Sequence, residues 1–300
     1  MQSTPRRSPL KICEIILLSV CFFLSAYTQI QAIEIRDIHE LVRTADHGAL
    51  GPVAIFPMGS DGFLVTDRAG RLLLCFDFDG NLKWKTDGTE TGERGLLSPG
   101  AVASTHGLSV YVLDRGLRKI FSFDRRGAFT GYLVNEAIGN PSSIAQGEGG
   151  ELYLYDMTKW ELVCIEPGGT LRWKVKPWKV NGEVTSIRLA QGEIHLLVPE
   201  RSTIFSYGKF GEFLREVRLV MPGRDPEERP TAFWRDQEGY IYVCTEEGSL
   251  VIYDVLMNPI VNLNSIRGRR LDSPCDLFLS GKKLYLLDCG SQTVYEITIG

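Results

Sequence analysis

Six segments of the chain align with one another, and this internal repeat is the feature that most constrains the fold. Each unit opens at an equivalent position: Pro52, Pro99, Pro141, Val184, Pro230 and Pro274. Successive openings are 47, 42, 43, 46 and 44 residues apart. Within a unit an apolar stretch, a glycine turn, a β-rich run, a second apolar run and another glycine turn recur in this order, although units four and five depart from the pattern. Periods of about 40–50 residues with four short strands per unit indicate a β-propeller.

The second unit shows the four strands most clearly. We predict strands at Ala101–Ser104, Leu108–Asp114, Lys119–Asp124 and Phe129–Val134, with glycine turns between them. One such blade cannot bury both of its apolar faces, so neighbouring blades must cover it and the array must close into a ring. The sequence therefore predicts an all-β, six-bladed β-propeller with four-stranded antiparallel blades.

The last unit is one strand short, because the chain ends at Gly300 after three predicted strands. Residues 33–38 alternate apolar and polar side chains, which is typical of a strand with one exposed face. We expect this segment to supply the outer strand of the last blade, since closure would remove an open sheet edge. The propeller domain is then predicted to span residues 33–300.

Residues 1–32 have the pattern of a secretory signal peptide. A basic head with Arg6, Arg7 and Lys11 precedes an apolar core, Ile15–Ala26, and Ala32 ends a candidate cleavage site. This predicts a periplasmic or secreted protein. Two alternatives stay open, namely an uncleaved N-terminal anchor and export by the twin-arginine route through Arg6-Arg7.

The charge balance argues against nucleic acid as a partner. Without the three basic residues and one acidic residue of the leader, residues 33–300 carry 30 basic and 36 acidic side chains. A protein that grips a phosphate backbone has the opposite bias. No transmembrane segment is expected in the mature chain.

The cysteines fit no metal-binding spacing. Five follow the leader, and Cys75 and Cys164 occupy equivalent positions in different units, which suits small core residues. Cys275 and Cys289 flank a predicted hairpin and should lie nearly opposite one another. An oxidising compartment permits a bridge there, but cross-strand geometry often does not suit one, so the sequence leaves this open.

Two stretches of the repeat resemble NHL repeats. The first is Val110–Asp124, where a strand, an Asp, a short basic turn and a further strand follow in order; the second is Pro141–Ala145 with Gly150–Asp156. The resemblance covers nearly all of the mature chain and implies a six-bladed propeller, but it says little about chemistry. The Asp that ends the second strand recurs in four units, where we predict a structural turn role: Asp67, Asp114, Asp156 and Asp288.

Enzymatic relatives of this architecture provide a test for chemistry. Gluconolactonase-like propellers, which this chain resembles in topology, open with Gly-Glu-Gly-Pro, whose Glu binds a metal, whereas Leu50 stands at that place here. The four histidines of the mature chain, His39, His47, His106 and His195, fall at unmatched positions of the repeat. We therefore predict no catalytic residue, no metal ligand and no cofactor.

A ligand is expected on the face that carries the loops between second and third strands and the connections between blades. The candidate residues there combine cations with aromatic and acidic side chains: Arg115, Arg118, Lys159, Trp160, Trp178, Arg201 and Glu247. The sequence thus predicts an extracytoplasmic, non-catalytic binding or scaffolding module for a protein or cell-envelope ligand. The alternative is a metal-dependent hydrolase or lyase of the gluconolactonase-like type.

Overall fold

Six four-stranded antiparallel sheets make up nearly all of the regular structure. The computed structural model describes residues 33–89, 95–105, 108–133, 139–221, 228–266 and 268–300. The first strands of neighbouring blades contact one another around the ring, and the last of them contacts the first. The prediction of a six-bladed propeller is confirmed.

In the first five blades the four strands run outward from the centre of the ring in sequence order, and the sixth blade takes its outer strand from elsewhere in the chain. The first strands are β2 (Pro52–Pro57), β6 (Pro99–Thr105), β10 (Pro141–Gln146), β14 (Ser186–Ala190), β18 (Pro230–Arg235) and β24 (Pro274–Ser280). The second strands are β3 (Phe63–Asp67), β7 (Ser109–Asp114), β11 (Leu152–Asp156), β15 (Glu193–Val198), β19 (Ile241–Thr245) and β25 (Lys283–Asp288). The third strands are β4 (Leu72–Phe76), β8 (Lys119–Asp124), β12 (Glu161–Ile165), β16 (Thr203–Gly208), β20 (Leu250–Tyr253) and β26 (Thr293–Ile299).

The fourth strands form the outer edge, and the sixth comes from the other end of the propeller segment. They are β5 (Leu82–Thr86), β9 (Phe129–Leu133), β13 (Leu171–Val175), β17 (Phe213–Arg218), β21 (Pro259–Leu263) and β1 (Ile35–Arg43). Strand β1 pairs antiparallel with β26, from Ile35 opposite Ile299 to Arg43 opposite Thr293. The predicted closure is confirmed, and the closing strand continues five residues beyond the predicted end at residue 38.

Some elements differ from the sequence prediction. The first strand of the second blade begins at Pro99 and ends at Thr105, so it is longer than the predicted 101–104. A two-stranded hairpin, β22 (Ser265–Ile266) and β23 (Arg269–Arg270), lies in the connection between the fifth and sixth blades and was not predicted. Short 3-10 turns occur at Thr44–His47 and Pro199–Arg201.

The core lies between adjacent blades, where apolar side chains of one sheet pack on the next. Two tryptophans show how the outer strands join this packing. The indole N–H of Trp84 donates to the carbonyl of Arg125 in the next blade at 3.1 Å. Trp173 packs against the core shared by the third and fourth blades. Each of these large side chains therefore joins its blade to the next one.

Two predictions about the chain outside the sheets have different outcomes. Cys275 and Cys289 form a disulfide, which resolves the question that the sequence left open. The predicted signal peptide, residues 1–32, lies outside the described residues. Across the part of the chain that the structure does describe, no helix combines the length and apolar character required to traverse a bilayer.

Candidate functional site

The face that carries the second-to-third-strand turns and the connections between blades, here called the loop face, is built on the repeated aspartates. The carboxylate of Asp67 accepts hydrogen bonds from the amides of Leu50 and Gly51 at 2.6 and 2.7 Å, and from two amides of its own turn. Asp114, Asp156 and Asp288 make equivalent bonds in their blades. Each of these buried carboxylates therefore ties one turn to the preceding connection between blades.

The fifth blade lacks this aspartate and replaces it with a pair of residues. The Thr245 hydroxyl donates to the carboxylate of Glu228 at 2.6 Å and accepts from the amide of Ser249. Glu228 is almost fully buried. A carboxylate thus remains near this position, although a residue of the preceding connection supplies it.

The predicted site residues lie on the loop side but do not form one patch. Arg115 lies with its guanidinium 3.8 Å from the carboxylate of Glu183, beside the central channel. Lys159 lies 3.9 Å from the carboxylate of Asp156, and Trp160, in the same turn, is 43% exposed. The exposed Arg118 ends the turn that Arg115 begins.

A second group of predicted residues lies at the outer edge of the fourth blade. Trp178 is 79% exposed and contacts Phe213 in a tilted arrangement, with ring centroids 6.4 Å apart. The neighbouring Lys179 ammonium lies 4.4 Å from the Phe213 ring, and Arg201 donates to the Lys179 carbonyl at 2.8 Å. Trp178 and Arg201 therefore belong to one cluster that is separate from the channel.

Glu247 belongs to a third place, between the fifth and sixth blades. Its backbone carbonyl accepts a hydrogen bond from the Arg270 guanidinium at 3.1 Å. Of the seven predicted residues, only Arg115 borders the central channel. The sequence pattern predicted on which side of the ring these residues lie but not their arrangement, because the positions of loop ends around a ring depend on blade twist.

A small cavity of about 120 Å³ opens at the centre of the loop face; we call it the axial cavity. Five hydroxyl-bearing residues of the first strands and their approaches line it: Ser142, Ser143, Thr185, Ser186 and Thr231. Arg68 and Arg115 contribute cations from the turns, and Glu183 contributes one carboxylate. The Ser186 hydroxyl is buried and has no hydrogen-bond partner in the described structure.

The axial cavity ends at a buried ion pair between two blades that are not adjacent in the ring. The Arg188 guanidinium of the fourth blade donates to the Asp276 carboxylate of the sixth, and both side chains are less than 10% exposed. The amides of Ile55 and Leu277 also donate to this carboxylate, at 3.0 and 2.9 Å. Burial raises the pKa of Asp276, while Arg188 and the two amides oppose that increase.

Sequence reasoning missed this pair, although the aligned repeat contained a signal for it. The third position of each unit is Ala or Ser except at Asp276, and the fifth is Ala or an aromatic except at Arg188. Each inner ring thus holds a single charged residue, and the two charges have opposite signs. A charge at a position that faces the centre of a ring requires a partner, because unpaired burial is costly.

The structure also gathers a polar cluster around His195, which the sequence placed inside a strand. The His195 Nδ1 lies 2.9 Å from the Ser206 hydroxyl, and its Nε2 lies 3.7 Å from Glu193. The same carboxylate binds the guanidinium of Arg215 at 2.8 Å and lies near Arg235. His195 and Ser206 are 1% exposed, so neither of these two side chains is accessible to a substrate. Burial, aided by Arg235, lowers the pKa of His195 to about 4.

The metal-binding and thiol groups of the described residues give no second candidate. Within those residues no three His, Cys, Asp or Glu side chains gather closely enough to hold a metal ion together. Cys75, Cys164 and Cys244 are buried, and burial raises the pKa of Cys75 to about 12. These thiols are protonated core residues rather than nucleophiles.

The comparisons with known proteins bear on the fold alone. No protein-family model matches the sequence, and no curated protein is significantly similar to it. Among solved structures, virginiamycin B lyase from Staphylococcus aureus is similar, with a TM-score of 0.62 and 13% identity over 89% of this chain and 99% of that chain. A streptogramin B lyase gives a TM-score of 0.64 and 12% identity over 88% of this chain and 98% of that one.

A third similar structure is a structural genomics protein from Bacteroides thetaiotaomicron. Its TM-score is 0.66, with 12% identity over 89% of this chain and 76% of that chain. Identities this low show shared architecture and carry no activity from one protein to another. The chain is a six-bladed β-propeller.

Proposed function

We propose that this protein is a non-catalytic binding or scaffolding propeller of NHL type that acts outside the cytoplasm. It engages a protein or cell-envelope ligand through the loop face and receives an acidic group of that ligand in the axial cavity. Support for the location is the signal-like pattern of residues 1–32, and support for the NHL type is the motif between Val110 and Asp124.

The proposal rests mainly on the contacts of the two charged residues at the centre of the ring, Arg188 and Asp276. The Asp276 carboxylate already accepts from Arg188 and from two backbone amides. A carboxylate with this many donors has little capacity left to act as a base or a metal ligand. The centre of the propeller is therefore a neutral, structural pair, which suits binding better than acid–base chemistry.

The charge of the cavity favours an acidic group. Arg68 and Arg115 outnumber Glu183, and the hydroxyls of Ser143 and Ser186 add hydrogen-bond donors on the wall. Guanidinium groups recognise carboxylates with short, charge-assisted hydrogen bonds. A volume of about 120 Å³ suits a carboxylate side chain and its stem rather than a whole ligand. The remainder of a large partner would lie across the surrounding loops.

Panning the purified full chain against short peptides tests this proposal. Half of the peptides carry one Glu or Asp, and the other half carry Gln or Asn at the same place. We expect enrichment of the carboxylate peptides, and loss of that enrichment in the variant Arg68→Gln/Arg115→Gln. Equal enrichment of acid and amide peptides, or enrichment that the double substitution leaves unchanged, would contradict the role of the axial cavity.

A metal-dependent hydrolase or lyase is the competing outcome, and elemental analysis separates it. Stoichiometric Ca²⁺ or Zn²⁺ whose removal by a chelator lowers the melting temperature, together with turnover of an ester or lactone, would overturn the non-catalytic proposal. A melting curve that chelation leaves unchanged is the expected result.

A further inference from the structure

A larger cavity opens on the opposite face, which carries the turns between first and second and between third and fourth strands; we call it the funnel. Its volume is about 620 Å³, within the range of small-molecule sites. It is bounded by the ends of first strands, by the turns of the third and fourth blades and, at the edge, by Lys209. The sequence analysis expected a ligand on the loop face and did not predict this cavity.

Two aromatic side chains and a guanidinium form a fixed group at one end of the funnel. The rings of Phe56 and Trp234 lie edge to face with centroids 6.0 Å apart, and the Arg188 guanidinium carbon lies 5.7 Å from each centroid. Trp234 also contacts Phe278 edge-on at 6.4 Å. Both Phe56 and Trp234 are only half-buried, so part of each ring stays available to the cavity. Such preorganised rings bind a flat apolar group with little loss of side-chain entropy.

The polar groups of the funnel restrict the charge of its ligand. Asp276 neutralises Arg188, and the Ile187 carbonyl accepts from the same guanidinium at 3.2 Å. The Arg188 Nε is buried and lacks a hydrogen-bond partner in the described structure, so one donor remains for an acceptor. A carboxylate there would add an unbalanced charge beside Asp276, whereas a neutral carbonyl would not.

The charged residues at the edge of the funnel also disfavour an anionic ligand. Glu148 and Glu151 lie there with the ammonium of Lys209, away from the Arg188–Asp276 pair. Glu151 is held by the Tyr153 hydroxyl, which donates to its carboxylate at 3.0 Å. Two carboxylates against one ammonium disfavour an anionic ligand.

We propose that the funnel binds a small uncharged aromatic molecule that carries a carbonyl group, with its ring against Trp234 and Phe56 and its carbonyl oxygen directed to Arg188. This site is independent of the loop-face function, because the two cavities open on opposite faces and the Arg188–Asp276 pair lies between them.

Three related probes test the ligand class on the full chain by isothermal calorimetry and saturation-transfer NMR. These are 2-naphthamide, 2-naphthoate and naphthalene, which share a ring and differ in the acceptor and charge. We expect 2-naphthamide to bind at least fivefold more tightly than either of the others. Equal affinity of all three would overturn the role of Arg188 as the donor to the ligand's carbonyl, and no binding at millimolar concentration would overturn the site.

Substitutions then locate the bound probe. Trp234→Ala should weaken 2-naphthamide at least tenfold, and Trp234→Phe, which keeps a ring, should weaken it less. The matched control is Trp84→Ala, at a half-buried tryptophan on the outer edge of the first blade, which should leave the affinity unchanged. Affinity that Trp234→Ala does not change would overturn the site. Melting curves confirm that each variant is folded.

Discussion

The central channel has a different character at its two ends. On the loop face it opens into about 120 Å³ lined by hydroxyls, beside Arg68 and Arg115, whereas on the opposite face it opens into about 620 Å³ with Phe56 and Trp234 on its wall. Arg188 borders both cavities. Ser143 and Ser186, at the third positions of their units, border the axial cavity, whereas Phe56 and Trp234, at the fifth positions, border the funnel.

The ion pair between the two ends should give the largest effect on stability. Arg188→Met leaves the Asp276 carboxylate buried without its counter-charge, so we expect a loss of about 3–5 kcal/mol in the free energy of unfolding. The double variant Arg188→Met/Asp276→Leu should recover most of that loss, because no buried charge remains. Urea denaturation measures both.

The matched control for this substitution is Arg126→Met, at an exposed arginine of the second blade. It should change the free energy of unfolding by less than about 0.5 kcal/mol. A double variant less stable than Arg188→Met alone would show that the pair stabilises the ring through something other than mutual neutralisation.

The disulfide should stabilise the loop-face end specifically. Cys275 borders the axial cavity, and its bond to Cys289 closes a loop with a sequence separation of 14. Loops of this size correspond to about 3 kcal/mol in the chain-entropy account. We expect dithiothreitol to lower the melting temperature of the wild type and to have no effect on Cys275→Ser/Cys289→Ser.

Reduction also sharpens the comparison between the two ends. Because the disulfide lies on the loop side, reduced protein that is still folded should bind 2-naphthamide as oxidised protein does. A reduced protein that loses this binding at temperatures well below its melting point would show that the two ends are not independent.

The opposite end should contain the acid-sensitive group. His195 lies on β15, next to the funnel-lining Ile194, and its pKa falls from 6.5 to about 4 in the folded protein. Between these values the unfolded chain binds more protons than the folded one, so the free energy of unfolding rises with pH and is fully present above 6.5. The expected change is on the order of 2–3 kcal/mol.

The pH dependence of urea denaturation checks this prediction. His195→Gln should flatten the slope between pH 4 and 6.5, while His39→Gln on the partly exposed closing strand should retain it. The groups that face His195 are Ser206, Glu193, Arg215 and Arg235. Substitution of Arg235 by Gln should move the midpoint of the slope upward, since the Arg235 charge lowers the His195 pKa. An unchanged slope in His195→Gln would assign the acid sensitivity to another group.

The smallest effect on stability is expected at the mouth of the axial cavity. Arg68 and Arg115 are exposed, so Arg68→Gln and Arg115→Gln should each change the free energy of unfolding by less than about 0.5 kcal/mol. Their effect should appear only in the binding of carboxylate peptides. A large loss of stability would mean that these arginines hold the loops together instead.

The fold could be predicted from the sequence because every blade repeats the same local pattern. Residues 33–38 were predicted to pair with the last blade because their alternating pattern is typical of an outer strand and the pairing would cover an open sheet edge. The structure places β1 there, next to β26. The repeated local pattern of strands and turns, together with the need to complete the last blade, was sufficient to predict the fold.

The candidate sites could not be predicted to the same extent, because they depend on contacts across the ring. Arg188 and Asp276 are 88 residues apart and belong to different blades. Trp178 was predicted for the loop face together with Arg115, but it packs on Phe213 at the outer edge of a neighbouring blade. Blade twist and tilt decide such pairings, and a repeat pattern does not contain them.

Methyl NMR titration of the full chain tests the central claim most directly, namely that two separate sites lie at the ends of one blocked channel. We predict that a Glu-containing peptide shifts the methyl signals of Val53 and Val102, which border the axial cavity, and that 2-naphthamide shifts those of Ile187, Leu189 and Ile194, which border the funnel. Shifts of the same methyl groups by both probes would contradict the account, since they would show a single continuous site.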